Sequence, residues 1–300
     1  MRTTNRLTIR PAALALALLT CPVSVIVAEE NPAGTPAKQE LRYQMAPGAQ
    51  FDFAIDRDRE IGERAPDGEA VIHVSERVLL GATVDSVGPD GLELSFEYQE
   101  RTHHVEREDF SGSTDFSELI GRQVRVMLSP KGELSSFRGF LALPEMPIVG
   151  EQRIMRRQEY VNDFVTNFPE LPAMPVGVGD TWSYETHFYE RVVAGQIKIT
   201  LNMTYVVKAD TVRDGLRCLR CVGDFTLKAR GQGIDESSGI QLDVDLSGGG
   251  TDTMYFAYDI GMVLESDART TIEGTAFNTL IRFAAPLRYE IRTRVKTGFK

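Results

Sequence analysis

Residues 91–99 read GLELSFEYQ, in which Leu92, Leu94, Phe96 and Tyr98 alternate with Glu93, Ser95, Glu97 and Gln99. A period of two places the four apolar side chains on one face of an extended strand and the four polar ones on the other. A helix would scatter the same residues around its circumference, because it needs a period of 3.6 to build an apolar stripe. The pattern recurs: RQVRVML sets Val124, Val126 and Leu128 on one face, and KITLNMTYVVKA, RTTIEGTAFNTLIRF and LRYEIRTRVK are rich in β-branched and aromatic residues. GPDGLE and SPKGEL put glycine where a hairpin turn needs a positive φ. The chain is therefore expected to be mainly β, with half-buried antiparallel strands.

The strands come in two sets. Gly48 aligns with Gly179, Phe51 and Phe53 with Trp182 and Tyr184, Asp90-Gly91-Leu92 with Asp214-Gly215-Leu216, and Gly132 with Gly261. Anchors in the same order at nearly constant offset indicate a duplication with altered loops. Two tandem antiparallel β units, 41–146 and 171–300, follow, each curved as a half-barrel or clasp. Only two stretches favour helix. STDFSELIG (113–121) has a Ser or Thr N-cap and early acids, enough for one or two turns. Residues 147–170 carry Ile154, Val161, Phe164, Val165 and Phe168 at helical spacing before Pro169, and are expected to form a helix linking the units.

The first 28 residues read as an export signal. Arg2, Arg6 and Arg10 stand without acids before the apolar run PAALALALLTCPVSVIVA, which ends on the small residue Ala28. That run contains Pro11 and Pro22 and is short for a membrane span, so no transmembrane span is expected after its removal. LLTC, ending at Cys21, resembles the lipobox of bacterial lipoproteins and marks Cys21 as a possible lipidation site; Thr20 departs from the small residue usual there, which favours plain cleavage near Ala28. Residues 29–40 read as a flexible polar linker. The formal net charge is −10, and removing the arginine-bearing signal makes it more negative. Nucleic acid is not an expected partner, since it rewards Lys and Arg.

Chemistry is sparse. Cys218 and Cys221 form a C-x-x-C, yet the equivalent stretch of the first unit is a plain strand. Residues three apart on a strand face opposite ways and lie about 10 Å apart, too far for a disulfide, so both are read as structural thiols. A zinc site would need two more ligands, and no second Cys or His pair is spaced to give them. His103-His104 reads as a solvated edge, Asp56–Glu60 (DRDRE) as an exposed strand end, and DVDLSGGGTDTMYF (243–256) as a flexible hairpin loop. No catalytic motif is present; no catalytic residue, cofactor or metal is expected. Trp182, the chain's one tryptophan, opens a strand after a turn, where it serves as a core anchor or as the wall of an apolar pocket.

YQMAPG (Tyr43–Gly48), the SPKGEL hairpin and the VGDTW restart together resemble a family of exported bacterial β proteins without assigned active residues. More distantly the pattern is similar to LolA/LppX-like carriers of lipids and lipoproteins. The resemblance implies a periplasmic or envelope location and a non-enzymatic role. A lipid or other apolar ligand would sit on the curved sheet, with Phe51, Phe53, Trp182 and Tyr184 as its wall. The alternative is an interaction or scaffolding module that recruits an envelope protein partner.

Overall fold

The alternating runs become very long strands. The structure, a computed structural model, describes residues 38–300 apart from 66–67, 151–152, 235–240 and 279–282. The signal segment, Cys21 and the linker up to residue 37 lie outside the described residues. In the first half stand β1 (Gln50–Ala65), β2 (Gly68–Gly88), β3 (Gly91–Arg107), β4 (Phe110–Ser113), β5 (Gln123–Leu128) and β6 (Leu134–Arg138). A ribbon of β7 (Met146–Ile148) and β8 (Arg153–Met155) then leads into helix α1 (Arg157–Val165). The second half holds β9 (Thr181–Arg213), β10 (Leu216–Ile234), β11 (Gln241–Ala257), β12 (Met262–Asn278) and β13 (Phe283–Phe299).

All strands but β7 and β8 join one antiparallel sheet in the order β6-β5-β3-β2-β1-β13-β12-β11-β10-β9, with β4 beside β3. Each half is a meander contiguous in the sheet. The halves meet at its centre, where β1 and β13 pair from Phe51–Phe299 to Glu63–Leu287. The last strand cannot be straight. At about 3.3 Å per residue β9 would span roughly 100 Å, yet Gly179 N–H donates to Val207 O at 2.9 Å, Val207 N–H to Asp180 O at 2.9 Å, and the Ser183 and Thr204 hydroxyls are 2.8 Å apart. It doubles back on itself, so its first arm, which starts at Thr181, lies at the sheet edge.

The aligned glycines hold equivalent turns. Gly48 N–H donates to Val84 O, Val84 N–H to Ala49 O and Ala49 N–H to Ala46 O. Gly179, Val207 and Asp180 repeat the same three bonds, the last to Gly177 O. Both glycines have positive φ, +81° and +93°, which a side-chain-bearing residue adopts only at a cost.

The inner face of the sheet carries the core. Phe51, Phe53 and Ile55 from β1, Val78 and Leu80 from β2, Phe96 and Tyr98 from β3, Tyr205 and Val207 from β9 and Phe256 from β11 are all essentially inaccessible. Among the described residues the two edge strands do not pair, so the sheet is not closed into a barrel. Helix α1 packs on both of them, β6 and β9, and the segment after it enters the core. There Phe168 stacks on Phe53, with centroids 5.3 Å apart and planes 9° from parallel, and meets Tyr43 and Phe96 edge-on.

Three expectations are corrected. The linking helix spans 157–165 rather than 147–170, because Pro147 lies in the β7–β8 ribbon and Gly150 turns it with φ +82°. STDFSELIG forms successive i→i+3 turns (Leu119 N–H to Phe116 O, Ile120 N–H to Ser117 O), since Gly121, at φ +79°, leaves helical space and donates to Tyr98 O of β3. Gly248–Gly250 are not a hairpin loop but lie within β11. A Cβ at Gly248 or Gly250 would run into the carbonyl of Thr271 or Arg269 on β12, so glycine there permits close strand approach.

Candidate functional site

The gap between the two sheet edges is a groove of about 400 Å³. One wall is Leu134 and Phe137 of β6 with Glu133 beside them; the floor is Val161, Val165 and Phe168 of α1 and its exit; the other wall is Tyr184, Thr186 and Phe188 of β9, with Leu201 from the returning arm. The alternation of TWSYETHF explains that wall: even-numbered residues 182–188 are half-buried and odd-numbered ones exposed. Gln158, Asn162, Thr166 and His187 supply polar points along the groove, and Glu170 stands at its end. Burial and then the Glu133 charge raise the Glu170 carboxyl.

Trp182 and Tyr184 frame this end. The Trp182 indole Nε1–H donates to Glu170 O at 3.0 Å, and its ring stacks on Tyr205 at 4.9 Å. The Tyr205 hydroxyl donates to Asp252 Oδ2 at 2.5 Å, and the Ser266 hydroxyl to Asp252 Oδ1 at 2.7 Å. Asp252 is buried, and desolvation raises its carboxyl despite those two donors. Burial likewise pushes the Tyr184 and Tyr205 hydroxyls up, with Asp252 adding to both. Tyr184 and Tyr205 are thus neutral at physiological pH.

Helix α1 is fixed at the other side by buried charge. Asp163 accepts from Arg57 Nη1 at 2.6 Å and Arg101 Nη1 at 2.8 Å, and Glu76 accepts from the same two arginines. The Arg101, Glu76 and Asp163 side chains are 1%, 5% and 3% exposed. Arg101 also lies over the rings of Phe116 and Tyr160, each 5.4 Å from its guanidinium carbon. Two arginines against two carboxylates give a neutral cluster, the condition under which charges are tolerated inside a protein.

The structure separates the four aromatic residues singled out from sequence. Tyr184 lines the groove and Trp182 braces its end, both half-buried. Phe51 and Phe53 are 0% and 1% exposed, packed against Phe96. His103 is not a solvated edge residue. Its ring is buried beside the ion cluster, with Nε2 3.5 Å from Arg59, while His104 faces outward to Ser111 and Ser113. DRDRE divides the same way: Asp56 and Asp58 pair outside with Arg77 and Arg294, and Arg57 points in. The sequence does not show the groove-lining residues of α1 and β6, because neither their type nor their spacing differs from ordinary core residues.

Cys218 and Cys221 are both buried free thiols. They lie on different faces, Cys221 in the main core and Cys218 in a small cluster with Ala257 and Leu264. Among the described residues no group of His, Cys, Asp and Glu is arranged to hold a metal, and no helix is long and apolar enough to cross a membrane.

The chain matches no family model and no curated protein. Among solved structures, an outer membrane channel from Pseudomonas putida F1 aligns over 90% of this chain and 100% of its own at 8% identity, with a TM-score of 0.20. The binding domain of botulinum neurotoxin serotype C1 aligns over 85% and 80% at 9% identity, with a TM-score of 0.11. Neither value supports a shared fold.

Proposed function

We propose that the chain is an exported, non-enzymatic protein of the bacterial envelope that holds an apolar ligand in the groove between β6, α1 and β9. The observation that carries this reading is the groove itself. Leu134, Phe137, Val161, Val165, Phe168, Tyr184, Phe188 and Leu201 converge on one concavity of about 400 Å³, within the ~300–1,000 Å³ range of small-molecule sites. Export rests on the basic and apolar N-terminal segment, and the non-enzymatic assignment on the absence of a catalytic motif in the sequence. The ligand wall is Tyr184 with Trp182 behind it; Phe51 and Phe53, being fully buried, shape the core beneath.

The interaction-module reading has one observation in its favour, the unpaired sheet edges at β6 and β9, since open edges can accept an added strand. Native mass spectrometry of the mature protein, purified gently from its own envelope fraction, tests both. Added mass that leaves on denaturation and proves to be a small apolar molecule is the expected result. A bare protein mass would sink the carrier reading, and a stoichiometric polypeptide would favour the second one. The same spectrum reports whether the chain starts near Glu29 or at a lipidated Cys21.

A further inference from the structure

The charge around the groove defines the ligand more narrowly, given the carrier reading above. Glu133 and Glu170 both line it, and among the described residues no Lys or Arg does. Three basic side chains from the flanking segments have other partners. Lys131 Nζ donates to the carbonyls of Leu41 and Pro172, both at 2.9 Å; Arg138 pairs with Glu93 at 3.4 Å; Arg157 pairs with Glu145 at 3.8 Å. His187 also lines the groove, and its Nε2 faces Glu185 at 3.3 Å. The main-chain carbonyl of Glu170 accepts from Trp182, and the half-buried Glu170 side chain lines the groove.

We infer that the groove takes a small amphiphile whose apolar chain lies along Phe137, Val161, Val165 and Phe188 and whose cationic head meets Glu133 and Glu170. A fatty acid or other anionic lipid would bring its own negative charge against these two carboxylates, with no Lys or Arg among the described lining residues to offset it. The occupant is thus an alkyl amine, a quaternary ammonium amphiphile or a molecule of like charge.

Trp182 is the chain's one tryptophan and is hydrogen-bonded to Glu170, so its fluorescence reports this end of the groove. The test titrates the mature protein with decylammonium, decanoate and 1-decanol, each below its aggregation limit, and repeats the series on an E133Q/E170Q double variant of unchanged melting temperature. The expected result is saturable quenching or shift of Trp182 emission, with decylammonium bound roughly tenfold or more tighter than decanoate and decanol between them. That preference should collapse in the double variant. Equal affinity for all three, or preference for decanoate, would overturn the cationic-head assignment while leaving the apolar groove in place. A preference that survives in the double variant would overturn it too. Absence of binding by all three would overturn the carrier reading itself.

Discussion

Arg101 sits in an environment far from that of an ordinary strand residue. Its side chain is 1% exposed and meets Asp163, Glu76 and two aromatic rings. Replacing it by Leu would leave Arg57, of the cluster's two arginines, bonded to two buried carboxylates, so R101L should lose about 3–5 kcal/mol in denaturant unfolding. Removing all four charges together should lose less, because no ion is then left alone. The cluster also sets the acid limb of stability. Burial would raise the Glu76 carboxyl, but Arg101 and then Arg57 outweigh it and hold the group well below the ordinary carboxylate range. The unfolded chain therefore takes up the proton first as pH falls. The stabilisation from Glu76 is complete above its unfolded value and is lost progressively from about pH 5 downward. E76Q should flatten that limb of a stability-against-pH curve; an unchanged slope would show that other carboxylates govern it. Residue-scale legibility was uneven for one reason. The alternation of DRDRE shows that Arg57 and Arg59 share a face, but not that the face is inward. That depends on Glu76 and Asp163, which are remote in sequence. The cysteines behave as their strand position implies: burial raises both thiols, Cys221 to about 12, so both should resist alkylation at pH 8 in the native protein. In the mature chain cleaved after Ala28, which lacks Cys21, two equivalents should react in guanidinium without reductant; fewer would indicate a disulfide.

At the scale of elements, the turns and the long strands were the legible part, because they depend on nearest neighbours. A positive φ at Gly48, Gly132, Gly179 and Gly261 follows from glycine in a polar turn between alternating runs. The helix was legible in its apolar residues but not in its bounds, which the β7–β8 pairing decides. The glycines of β11 were misread for the converse reason: three in a row signal a loop locally, but here they answer to the strands beside them. Turn glycines separate local strain from tertiary packing. At Gly179 nothing lies within 4 Å of where a Cβ would be, whereas at Gly132 a Cβ would strike the Pro169 carbonyl and approach Tyr43 at 3.1 Å. G179A should therefore cost only the backbone strain, about 1 kcal/mol. G132A should cost clearly more, since it also displaces the segment that carries Phe168 into the core. Equal losses in chemical denaturation would mean that this segment yields without penalty.

For the whole molecule, the decisive feature is that the two halves share a sheet. The N-terminal strand of one and the C-terminal strand of the other pair at its centre over thirteen positions, from Phe51–Phe299 to Glu63–Leu287. The linking segment closes the other side, with Phe168 stacked on Phe53 and Trp182 bonded to Glu170. Neither half can then lose its inner face without exposing the other's, so unfolding should be one cooperative transition rather than two. Trp182 belongs to the second half, which makes the expectation sharp. Phe96→Ala removes a first-half ring that meets Phe51, Phe53 and Phe164 and should cost about 3–5 kcal/mol. If the sheet unfolds as a unit, the Trp182 fluorescence midpoint in urea moves down by as much as the far-UV circular dichroism midpoint. If the halves are energetically separate, Trp182 stays at its original midpoint while dichroism splits into two steps. Most strand pairings here join chain neighbours, but β1–β13 joins the first and last strands of the sheet, and a contact of such long sequence separation forms slowly. Refolding should accordingly run in milliseconds to seconds or slower, with the β1–β13 join among the last contacts to form.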